Sequence, residues 1–62
     1  MDYEKIVEGI QIHTNEDITE SEAKAYIAHI RKNNPHKEIE SIDLKFDGEE
    51  VELGYHLQPE GV

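Results

Sequence analysis

From Ile39 to Leu57 apolar and polar residues alternate on both sides of Asp47-Gly48: Ile42, Leu44 and Phe46 lead up to the turn signal, and Val51, Leu53, Tyr55 and Leu57 lead away from it. Period-two patterning around an Asp-Gly pair predicts a β-hairpin with one buried and one wet face. A two-residue loop at Asp47-Gly48 sets Asp43 opposite Glu52. A four-residue loop, Asp47 to Glu50, instead pairs Phe46 with Val51, Leu44 with Leu53 and Ile42 with Tyr55. The longer loop is favoured because it faces Lys45 with Glu52, a gain of about 0.2–1 kcal/mol over two opposed carboxylates. Leu53 is expected in the core, where an Asp would unfold the domain. Gly54 reads as a bulge or a close backbone approach within the last strand.

Upstream the period changes. Ala23, Tyr26, Ile27 and Ile30 follow the i, i+3, i+4, i+7 spacing of one buried helical stripe. Thr19-Glu20-Ser21-Glu22 has the form of a capping box, and Thr14 to Asp17 reads as the polar loop before it. Glu20 and Glu22 suit the positive end of the helix dipole, Arg31 and Lys32 the negative end. Pro35 removes a donor and disfavours helical geometry at Asn34, so the helix should stop near Asn33.

The segment Lys5 to His13 supports two readings. As one strand it places Ile6, Ile10 and Ile12 on the same side; as a helix it forms a stripe of Tyr3, Ile6, Val7 and Ile10. Gly9 and the β-branched pair Ile6-Val7 favour the strand. The expected fold class is therefore α+β: a two-layer β-α-β-β domain over residues 1–57, one helix on a three-stranded sheet ending in the C-terminal hairpin, with residues 58–62 a frayed tail. A right-handed crossover makes the strands flanking the helix parallel, with the last strand between them in spatial order 1-3-2. The alternative is α-α-β-β.

Sixty-two residues form one domain at most, with a small core. The absence of cysteine excludes disulfides and thiolate zinc sites, so support from a partner or a second copy becomes an expectation. No apolar run approaches the roughly 18 residues of a membrane span, and the N-terminus lacks the pattern of a signal peptide. A cytoplasmic location without membrane association is expected. A net charge of −9 opposes direct nucleic-acid binding. The charge is polarised: Lys24, Arg31, Lys32, Lys37 and Lys45 lie mid-chain and no basic residue follows Lys45.

Reactive chemistry finds little support. His13, His29, His36 and His56 show no His-Glu-x-x-His and no i, i+4 pair on the helix, so they read as surface histidines and no metal site is assigned. Asp47, Glu49 and Glu50 at the hairpin tip lack the alternating ligands of a calcium loop. Ser21 and Ser41 stand outside any nucleophile elbow, and Gly9, Gly48, Gly54 and Gly61 form no phosphate loop. No catalytic residue and no cofactor is expected.

The run from Glu52 to Val62, ELGYHLQPEGV, about a sixth of the chain, resembles a segment of small proteins similar to the C-terminal region of anaerobic (class III) ribonucleotide reductases. In that family the segment precedes an Arg-rich stretch and a glycyl-radical Gly-Tyr pair. This sequence holds no such continuation and no cysteine, so no functional residue carries over. The resemblance implies an appended or accessory domain in anaerobic nucleotide metabolism.

Read from the residues, two features carry binding. Asp43, Glu50 and Glu52 share the face away from the core with His56 and form an anionic surface for a basic protein partner. The sheet edges can accept a strand, including one from a second copy, unless Lys5, Glu8 or Lys45 protects them. The expectation is a non-enzymatic, acidic protein-interaction or accessory domain.

Overall fold

The computed structural model describes residues 2–59. In chain order the elements are β1 (Tyr3–Val7), β2 (Ile10–Thr14), α1 (Glu20–Asn33), β3 (Ile39–Asp47) and β4 (Glu50–Leu57). One helix lies against a four-stranded mixed sheet of order β1-β2-β3-β4, in which β2 and β3 are parallel and the two outer pairs antiparallel. The α+β class, the single helix and the C-terminal hairpin agree with the sequence reading. The strand number and the spatial order do not.

The extra strand arises where residues 5–13 were read as one element. Glu8 and Gly9 both have positive φ, 54° and 78°, the pattern of a two-residue type I′ turn. The turn folds the segment into a hairpin with Val7 opposite Ile10 and Lys5 opposite Ile12. Ile10 and Ile12 therefore face the core together with Val7, whereas Ile6 points outward and is 77% exposed. The last strand lies outside the parallel pair instead of between its members. Asn15 explains why: its side-chain Nδ2 donates to the Phe46 carbonyl (2.9 Å), the Phe46 N–H donates to its Oδ1 (2.7 Å), and its own N–H donates to the Leu44 carbonyl. These bonds extend the parallel pairing past the end of β2 and occupy that side of β3. Only the opposite side remains for β4.

The capping box forms as expected. The Glu22 N–H donates to Thr19 Oγ1 and the Thr19 N–H to Glu22 Oε1, both at 3.1 Å. The helix ends at Asn33, where the Asn34 side chain donates to the Ile30 carbonyl and its N–H to the Arg31 carbonyl. Ala23, Ile27 and Ile30 are buried and Tyr26 is half-buried. Ile18, just before the cap, is buried with Ala23 in the positions of a hydrophobic staple.

The core combines these helix residues with Val7, Ile10, Ile12, Ile39, Ile42 and Leu44. Its centre is the parallel pair, where Ile12 and Ile42 stand side by side and are wholly inaccessible. Thr14 is buried as well, its hydroxyl donating to the Glu16 carbonyl and accepting from the Glu16 N–H. Leu53, expected in the core, is only half-buried, because β4 lies at the margin of the layer that α1 covers.

The C-terminal hairpin adopts the predicted register: Phe46 pairs with Val51, Lys45 with Glu52, Leu44 with Leu53 and Ile42 with Tyr55. It closes more tightly than predicted, since Asp47 and Glu50 also pair and leave Gly48-Glu49 as the loop. Gly48 takes a φ of 64°, which a side chain would resist. The irregularity lies between Ile39 and Ser41, not at Gly54. A Cβ on Gly54 would meet Asp43 Cβ at 3.8 Å, an ordinary contact, so neither of the roles expected for this glycine is found. Lys45 sits on an interior strand and protects no edge. The Gln58 N–H donates to the Glu38 carbonyl at 2.8 Å, tying down the first residue after β4. The rest of the expected frayed tail, Glu60 to Val62, lies outside the described residues.

Candidate functional site: the open face of the sheet

A single helix covers one side of a sheet. Strand alternation and register assign the residues of the other side in rows. One row crosses all four strands as Glu4, His13, Asp43 and Gly54; its neighbours contain Ile6, Gln11, Ser41 and His56, and Lys45 with Glu52. Asp43, Glu50 and Glu52 are all exposed, and the pairing puts them on this outer side with His56.

Their surroundings differ. His56 Nε2 lies 3.6 Å from Asp43 Oδ2, an ion pair when the imidazole is protonated. Glu52 stands opposite Lys45, which offsets part of its charge. Glu50 stands opposite Asp47, so the hairpin tip concentrates Asp47, Glu49 and Glu50 where water screens them. The register that separates Asp43 from Glu52 thus moves the opposed carboxylates to the wet end of the arm.

An open groove of about 650 Å³ runs over this face, lined by Asp2, His13, Asn15, Asp43, Leu44, Lys45, Glu52, Leu53 and Gly54. Gly54, the cross-strand partner of Asp43 and two residues after Glu52, adds no side chain to it. His13, read from sequence as a surface histidine, lines the groove, with Nδ1 3.4 Å from Glu4 Oε1 and Nε2 3.9 Å from Asp2 Oδ2. Asp2, Glu4, His13 and Lys45 were not assigned to a site from sequence. The parallel pairing of β2 with β3 places His13 beside Asp43, and a separation of thirty positions gives no local signal of that.

Among the described residues, no group of three or more His, Asp or Glu side chains is arranged to hold a metal ion. No buried side-chain polar atom among them lacks a hydrogen-bond partner. His29 is exposed, with its Nε2 3.5 Å from Asn33 Nδ2. Among the described residues, no helix is long and apolar enough to cross a membrane. What the face presents is shape and charge: a shallow, carboxylate-rimmed surface that suits an extended cation such as a lysine or arginine side chain. Searches among family models, curated proteins and solved structures give no match to this chain.

Proposed function

We propose that the protein is a non-enzymatic, acidic interaction or accessory domain of the cytoplasm that binds a basic protein partner on the open face of its sheet, through Asp43, Glu50 and Glu52. The observation that supports this reading is the groove lined by Asp43 and Glu52, in which Gly54, paired with Asp43 and two residues after Glu52, contributes no side chain. A guanidinium or ammonium group entering there meets the carboxylates of Asp43 and Glu52 beside an open backbone position. The net charge of −9 raises the encounter rate with a cationic partner and disfavours nucleic acid at the same surface.

The test is affinity capture from host lysate on the immobilised protein, eluted along a salt gradient. A basic protein should leave the wild-type matrix at moderate salt, because exposed charge pairs are screened over about 8–10 Å at physiological ionic strength. The Glu50→Lys/Glu52→Lys variant, altered only at exposed positions, should fold and fail to retain it. Gly54→Ala raises the floor of the groove without a backbone clash and should weaken retention too. Retention unchanged in both variants would refute the reading. An accessory domain of an anaerobic ribonucleotide reductase-like protein is the second reading, drawn from the resemblance of residues 52–62, whose first six form most of β4. Salt-resistant capture of a reductase subunit would favour it.

A further inference from the structure

Among the described residues, strand β4 is a free edge, and its backbone has a definite polarity. Phe46 gives its N–H and its carbonyl to the Asn15 side chain, so both point away from its cross-strand neighbour Val51. In an antiparallel ladder the residues of such a pair turn their polar groups outward on both strands. The N–H and C=O groups of Val51, and by alternation those of Leu53 and Tyr55, are therefore directed off the edge of the sheet. The side chains of these three residues form an apolar strip on the helix side that α1 covers incompletely: Val51 is 41% exposed, Tyr55 40%, and Leu53 is half-buried. Unpaired backbone beside an unfinished apolar strip is a template for another strand.

The sequence of the strand suits its own copy. We propose that β4 pairs antiparallel with β4 of a second molecule about a two-fold axis through Leu53, joining two four-stranded sheets into one of eight strands. An axis normal to the sheet keeps both apolar strips on the same side and matches residue 53+k with residue 53−k. Leu53 then faces Leu53, Val51 faces Tyr55, Glu52 faces Gly54 and Glu50 faces His56. Every residue with outward backbone groups meets another such residue. Aromatic and β-branched side chains oppose each other, and no carboxylate opposes a carboxylate.

The other edge fits a copy less well. The Glu8-Gly9 turn directs the polar groups of Glu4 and Ile6 outward, and pairing these across a two-fold axis sets Lys5 against Lys5. Strand β1 has five residues against eight in β4, and the Lys5 amine is held by the Ile18 carbonyl and Asp17. Net charge of the same sign opposes dimer formation, so added salt should strengthen it, opposite to the salt effect on a basic partner.

Sedimentation equilibrium of the purified protein over a concentration series tests the proposal. The mass should rise from 7.2 kDa toward twice that value. His56→Glu puts two carboxylates opposite each other at both symmetric positions and should weaken association about tenfold. Adding Glu50→Lys to His56→Glu sets a lysine opposite each new glutamate and should recover wild-type association to within about threefold. Both positions are exposed, and circular dichroism confirms that each variant is folded. A monomer at every concentration, or a double variant no better than His56→Glu alone, overturns the proposal. No second protein enters this experiment, so its failure leaves the open-face reading standing.

Discussion

The two hairpins turn through loops of equal length and are held in different ways. In the N-terminal hairpin, Val7, Ile10, Ile12 and Thr14 are buried under α1, and the cost falls on the turn, where Glu8 occupies the left-handed region. Its carboxylate reaches Arg31 near the end of α1 at 3.2 Å. In the C-terminal hairpin a glycine takes the positive φ, yet β4 leaves Val51 and Tyr55 about 40% exposed. One hairpin is strained at its turn and buried along its strands; the other is relaxed at its turn and unfinished along its outer edge. A domain this small cannot cover every strand with one helix, and β4 is the strand left without a buried residue.

The comparison predicts unequal responses to truncation. Ile42→Ala, at the wholly buried centre of β3, should cost about 2–5 kcal/mol, enough to unfold much of the population, whereas Val51→Ala at a half-exposed site should cost within about 0.5 kcal/mol. Urea denaturation of both variants measures the difference, and comparable losses would mean that β4 is packed as tightly as β3. Asn15→Ala removes two hydrogen bonds to Phe46 and should cost about 1–3 kcal/mol. Amide exchange at Phe46 should accelerate while Val7 and Ile10 keep their protection; loss of protection at both places would show that the hairpins melt as one unit. Glu8→Asn puts a residue suited to the left-handed region into the type I′ turn. It should raise stability by about 0.5–1 kcal/mol, less up to about 1 kcal/mol for the exposed pair with Arg31. A lowered melting temperature would rank the ion pair above the turn strain.

Local signals explain which parts of this fold could be read in advance. The capping box at Thr19 and Glu22, the stop before Pro35 and the register of β3 with β4 depend on residues within a few positions of each other or on one tight turn. They agree with the structure for that reason. The N-terminal hairpin escaped because Ile6 and Val7 are adjacent and both apolar, which hides the alternation, and because glutamate is an unfavourable first residue for its turn. The anionic residues Asp43, Glu50 and Glu52 were placed on the outer face by periodicity alone, since a period of two assigns sides whatever the sheet order. The groove that Asp43 and Glu52 border was not visible, because Asp2, His13 and Asn15 reach it through the pairing of two strands separated by a helix.

By itself the sequence determined the helix with both its ends, the C-terminal hairpin with its register, the buried stripe and the sign of the surface charge. These follow from hydrogen-bonding and packing preferences that act over a few residues. The tertiary structure alone decided which strands are neighbours, which two lie at the edges and how the open face is assembled. Those outcomes depend on Asn15 completing the β2–β3 pairing and on the limited width that one helix can cover, and both are properties of segments brought together only by folding.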